Sequence, residues 1–141
     1  MPEGKDTPVS EIMMRAPVTL GPADTLDLAN DIIQLGRIRH IPIVDNGKLV
    51  GVLSQRDLFG AAAKIVLDLK GAAQKVLLRS LQIKEIMSKP LITIRPDNTV
   101  KYAANLMATE KIGCLPILQG ESLVGLVTQT DILRHVGRDE L

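Results

Sequence analysis

The sequence predicts an α+β protein made of two βαββα-type repeats packed about a pseudo-twofold axis, and three observations lead there. First, Leu49-Val50-Gly51-Val52-Leu53-Ser54-Gln55-Arg56-Asp57 recurs as Leu123-Val124-Gly125-Leu126-Val127-Thr128-Gln129-Thr130-Asp131. The offset is constant along the copies: Ile12 matches Ile86, Thr19 matches Thr93, Pro42 matches Pro116 and Asp57 matches Asp131. Second, in each copy a strand-type apolar run crosses a Gly and reaches a hydroxyl residue, with an Asp three places on and helical apolar spacing after it. Third, a unit of this size cannot bury both faces of a three-stranded sheet alone, so two copies should cover one another.

The elements follow in order. Ser10-Glu11-Ile12-Met13-Met14 reads as a short helical turn, and Pro17-Val18-Thr19-Leu20 as a short strand closed by Gly21-Pro22. Asp24 or Thr25 can cap a helix whose apolar positions are Leu26, Ala29, Ile32, Ile33 and Leu35 and which ends at Gly36. A basic loop through Arg37, Arg39 and His40 leads into two strands joined by Asn46-Gly47, the dipeptide that most strongly signals a two-residue hairpin. A helix starts at Ser54. The next stretch keeps Leu58, Ala62, Ile65, Leu69, Ala73, Val76 and Leu77 in helical register, with Gly71 as a candidate break. The second unit then repeats the first. The expected organisation is a first repeat over 9–60, a helical connection over 61–80 and a second repeat over 81–137.

At each strand-to-helix corner the residue types admit two readings. Ser54-x-x-Asp57 and Thr128-x-x-Asp131 fit a capping box with Asp in place of Glu. A helix start also presents free N–H groups and the positive end of the dipole, and an Asp beside it can accept hydrogen bonds from a sugar diol, which suits a nucleotide. The two roles are compatible.

Composition narrows the function classes. A net charge of +1 and the absence of a Lys- or Arg-rich tract do not favour nucleic acid. With one Phe and one Tyr there is no aromatic platform for base stacking. One Cys and two His form neither a disulfide nor a metal cluster, so no metal is expected. The polar first eight residues and the lack of a long apolar run point away from export and from the membrane, and place the chain in the cytoplasm. No nucleophile paired with a base is visible, so an enzyme is not expected.

Together these motifs resemble a tandem pair of CBS domains, the module named after cystathionine β-synthase. The match rests on Ile12-Met13 and Ile86-Met87, on Thr19 with Pro22 and Thr93 with Pro96, on Ile41-Pro42-Ile43 and Leu115-Pro116-Ile117, and on the Gly-x-x-Ser/Thr-x-x-Asp corners. The resemblance implies a regulatory module that takes an adenosine-containing ligand (AMP, ADP, ATP, S-adenosylmethionine or NAD), does no chemistry, requires no cofactor and forms a homodimer. It puts the ribose on Asp57 with Ser54 and on Asp131 with Thr128. It puts the adenine against Thr19, Ile41 and Pro42, and against Thr93, Leu115 and Pro116. Basic residues before the Pro hold phosphates in this family; here the first copy has Arg39-His40 and the second Gly113-Cys114, so the two sites should differ.

The expected function is thus a ligand sensor that passes its bound state to a regulated protein. The rival is a structural dimerisation module without ligand, in which the corners are only capped helices and the connecting helices hold two copies together.

Overall fold

The computed structural model describes residues 7–66, 72–88 and 91–139. A short turn at Val9–Glu11 precedes β1 (Met14–Arg15), α1 (Leu26–Gly36), β2 (His40–Asp45), β3 (Lys48–Ser54) and α2 (Gln55–Val66). Then come α3 (Ala72–Ser80), a turn at Ile83–Glu85, α4 (Val100–Glu110), β4 (Cys114–Gln119), β5 (Ser122–Thr128) and α5 (Gln129–Asp139).

Local chemistry explains most boundaries. Thr25 and Thr99 are extended residues that open α1 and α4, and the Thr99 hydroxyl accepts from the Tyr102 N–H at 3.0 Å. Asp24 serves the preceding turn instead, accepting from the Gly21 N–H at 2.7 Å. Helix α1 ends at Gly36, as expected, and both helices are closed by a left-handed basic residue, Arg37 after Gly36 and Lys111 after Glu110. Asn46 and Gly47 both take positive φ, as a type I′ hairpin turn requires, and the expected hairpin forms with Asp45 paired to Lys48. Along α1 the stripe of Leu26, Ala29 and Ile33 is buried, whereas Leu35 is 87% exposed and lies off it.

The expected first strands shrink to single parallel bridges, Leu20 to Ile43 and Ile94 to Ile117. Leu20 donates to the Pro42 carbonyl at 3.2 Å and accepts from the Val44 N–H at 2.8 Å. Pro17 lacks an N–H and Gly21-Pro22 turns the chain, so the ladder does not extend. The regular sheets are therefore β2-β3 and β1-β5-β4. In the connecting segment Val76 is exposed and Leu78 is buried, so the face turned to the core carries Leu78; Leu69 and the candidate break at Gly71 lie outside the described residues.

Compact units and sequence repeats are interleaved. One unit comprises Val18–Leu91, the other Met1–Pro17 with Ile92–Leu141. The segment that leads the first repeat belongs to the second unit: Val9 is fully buried among Val100, Ala103, Met107, Leu115, Ile117 and Val127, and β1 pairs antiparallel with β5. In the same way Ile83 is fully buried beside Leu26, Ile33, Ile43 and Leu53, and Ser88 bridges to Val52. Each such strap closes on a glycine. A Cβ at Gly51 would lie 2.6 Å from Met87 Sδ, and one at Gly125 would collide with Met13 Sδ and approach the Met14 carbonyl at 3.1 Å.

Close approach of this kind is intolerant of added volume, with overpacking costing about 1–3 kcal/mol. Gly51→Ala should sit at the low end, because a Met side chain can rotate away, and Gly125→Ala at the high end, because the Met14 carbonyl cannot. Urea denaturation of both variants checks the order; equal, negligible losses would show that the straps are not seated on these glycines.

Candidate functional site

Each corner is built by a strand running straight into a helix. At the end of β3 the Ser54 Oγ accepts from the Asp57 N–H at 2.9 Å, and Asp57 Oδ2 accepts from the Ser54 N–H at 3.4 Å. At the end of β5 the Thr128 Oγ1 accepts from the Asp131 N–H at 3.3 Å, and Asp131 Oδ2 accepts from the Thr128 N–H at 2.9 Å. The capping reading is therefore realised in both copies, with each carboxylate half-buried at a helix start. Outer bonds also repeat: the Gln55 N–H donates to the Arg39 carbonyl at 2.7 Å and the Gln129 N–H to the Gly113 carbonyl at 3.0 Å. These tie the loop before β2 or β4 to its corner.

Beyond that the corners differ. An open pocket of about 550 Å³ adjoins the first, lined by Arg39, His40, Ser54, Gln55, Arg56, Phe59 and Gly60. Arg56, to which the sequence assigns no role, completes a pair of guanidinium-bearing side chains with Arg39. Its phase could have been seen, since 56, 59 and 60 share one helical face near the start of α2. The corresponding places in the second copy hold Gly113, Cys114, Thr130, Leu133 and Arg134. Burial holds the His40 imidazole below its ordinary pKa, partly countered by the Asp57 charge and reinforced by Arg39, so at neutral pH His40 is a neutral hydrogen-bonding group rather than a cation. Burial, aided by the Asp131 charge, pushes the Cys114 thiol up to about 12, which leaves it unreactive.

The remaining expected contacts divide. Thr19 is exposed and Thr93 half-buried on the extended stretches before the parallel bridges. Ile41, Pro42, Leu115 and Pro116 are wholly buried, Ile41 and Leu115 within the two cores, so their strands would meet a ligand through backbone. Among the described residues no group of three or more His, Cys, Asp or Glu could hold a metal ion, and no helix is long and apolar enough to cross a membrane.

The CBS domain family matches residues 9–64 and 83–138, most of the chain and both corners. The chain belongs to the CBS domain family. Its α+β fold is that of a CBS domain pair: the crystal structure of the CBS pair of protein MJ0100, in complex with 5′-methylthioadenosine and S-adenosyl-L-methionine, superposes with a TM-score of 0.80 at 30% identity, covering 94% of this chain and 97% of that one. A CBS domain-containing protein of Dictyostelium discoideum is 32% identical over 127 residues, 89% of this chain and 88% of that protein. Other relatives are longer. This CBS pair spans 32% of an uncharacterized protein of Methanocaldococcus jannaschii, and 24% of a homoserine O-acetyltransferase of Methanohalobium evestigatum, enzyme homologues of this kind aligning over their CBS portion.

The lowered His40 pKa carries a stability consequence. The unfolded chain, with an ordinary value of 6.5, binds this proton more readily than the fold does, so the contribution is fully present above 6.5 and is lost as pH falls through the lowered folded value. Melting curves from about pH 8 to about pH 5 should therefore show the wild type losing ground to His40→Gln below pH 6.5; parallel curves would contradict the burial of this imidazole.

Proposed function

We propose that this CBS pair is a regulatory module that binds an adenosine-containing ligand, from among AMP, ADP, ATP, S-adenosylmethionine and NAD, and signals its bound state to a partner protein. The observation that carries the reading is the repeated corner, in which a half-buried carboxylate and a hydroxyl stand at a helix start in both copies. A ribose diol donates naturally to such a carboxylate. The MJ0100 relative with two adenosyl ligands supports the ligand class. Asp57 with Ser54 and Asp131 with Thr128 would take the ribose, with Thr19, Ile41, Pro42, Thr93, Leu115 and Pro116 on the adenine side. In this reading the site requires no cofactor and carries out no catalysis.

The two sites differ at the phosphate end. Arg39, with Arg56 beside it and His40 as a neutral donor, can bind a phosphate by charge-assisted hydrogen bonds, whereas Gly113 and Cys114 supply no charge. The functional species is a homodimer, in keeping with the exposed Phe59, Val76, Leu133 and Val136, and light scattering should give the mass of two chains. A second reading, structural dimerisation without ligand, is favoured by one fact: both caps are already complete internally.

Calorimetric titration separates the two. AMP should bind in two classes, the tighter weakened about tenfold or more by Arg39→Ala and by salt, while uncharged adenosine is little affected by either. A dimer that binds no adenosyl ligand would select the structural reading, and equal AMP sites indifferent to Arg39→Ala would remove the asymmetry.

A further inference from the structure

Asp57 carries a hydrogen bond that Asp131 lacks. The Ser88 hydroxyl donates to Asp57 Oδ2 at 2.8 Å, the same oxygen that accepts the Ser54 N–H. Ser88 is exposed, but its backbone is fixed, since its N–H donates to the Val52 carbonyl at 2.9 Å and thereby holds the Ile83–Glu85 strap on β3. The same backbone position on the other strap is Met14, which pairs with Leu126 on β5 and has no donor group. At the second corner Oδ2 instead receives the hydroxyl of Thr128, the cap residue itself, at 3.0 Å. Each Oδ2 thus receives one N–H and one hydroxyl, the hydroxyl coming from the strap at the first corner and from the cap residue itself at the second.

A carboxylate oxygen accepts about two hydrogen bonds in its plane, so Asp57 Oδ2 is filled by Ser54 and Ser88. A vicinal diol on a carboxylate engages both oxygens, and its second hydroxyl must therefore displace Ser88. Resting on the reading of Asp57 as a diol acceptor, we propose that Ser88 is a specificity-determining residue: a competitor for the sugar diol that reaches the first corner from outside its cap, where at the second corner the cap's own Thr128 hydroxyl occupies the corresponding oxygen. The exchange of one hydroxyl donor for another contributes little net affinity there. The first corner then depends on the phosphate contacts of Arg39 and Arg56, and discriminates AMP from adenosine by weakening the diol as well as by attracting the anion.

The test uses Asp131→Asn to leave the first corner as the only diol acceptor, and compares adenosine with 2′,3′-dideoxyadenosine by calorimetry with and without Ser88→Ala. Removing the competitor should tighten adenosine about 2- to 10-fold, the worth of one hydrogen bond, and leave the dideoxy compound unchanged. A ratio unmoved by Ser88→Ala, or lowered by it, overturns the competitor role while the proposed function stands. Wild-type protein that binds no adenosine overturns both. A purely structural role for Ser88 would shift the two compounds alike and so fails the same comparison.

Discussion

The reciprocal cap between a hydroxyl residue that ends a strand and an Asp three places later is the interaction on which the rest of the site depends. A strand that turns directly into a helix leaves orphan N–H groups at the junction, and these must be satisfied by side chains or by a ligand. Ser54 with Asp57 and Thr128 with Asp131 satisfy part of that need internally and, in doing so, hold each carboxylate at the positive end of a helix. The stabilising role and the proposed binding role are therefore two uses of one geometry. Chemistry that varies between the copies is added around this constant: Arg39, Arg56, His40 and Ser88 at the first, Gly113, Cys114, Thr130 and Met14 at the second.

The straps give that geometry its setting. Val9 and Ile83 are fully buried, each in the core of the unit that its own repeat does not form, and Met13 and Met87 close over Gly125 and Gly51. A missing Cβ permits a thioether to approach a strand backbone, and the flexibility of Met lets it fill the gap. Each unit thus contains sequence from both repeats, so the boundaries of the units are not those of the repeats. This interleaving also brings a residue such as Ser88, remote in sequence from Asp57, into contact with the candidate site.

What could be read without coordinates was what local chemistry determines. The hairpin at Asn46-Gly47, the opening of α1 and α4 after Thr25 and Thr99, the caps at Ser54 and Thr128 and the apolar stripe of Leu26, Ala29 and Ile33 all follow from neighbours within a few positions. The missed features are long-range. Nothing in Met13 or Met87 says which copy's glycine it fits, since both copies carry both residues. Apolar alternation around Thr19 and Thr93 marks extended chain but cannot say that only one bridge forms beside a proline-bearing strand. The cavity that gathers Arg56 with Arg39 and the contact of Ser88 with Asp57 are tertiary features that neighbouring residues do not announce. Leu35 counts among the apolar positions of α1, yet faces solvent.

The central claim is that the cap carboxylates are also the acceptors for the sugar of an adenosyl ligand. Asn retains the shape and much of the capping ability of Asp while removing the charge and one acceptor oxygen. The most direct measurement is therefore calorimetric titration of adenosine into the double variant Asp57→Asn/Asp131→Asn, after thermal melting has confirmed that it remains folded. The account predicts that saturable binding seen with the wild type disappears; adenosine bound by the folded double variant as tightly as by the wild type would contradict it.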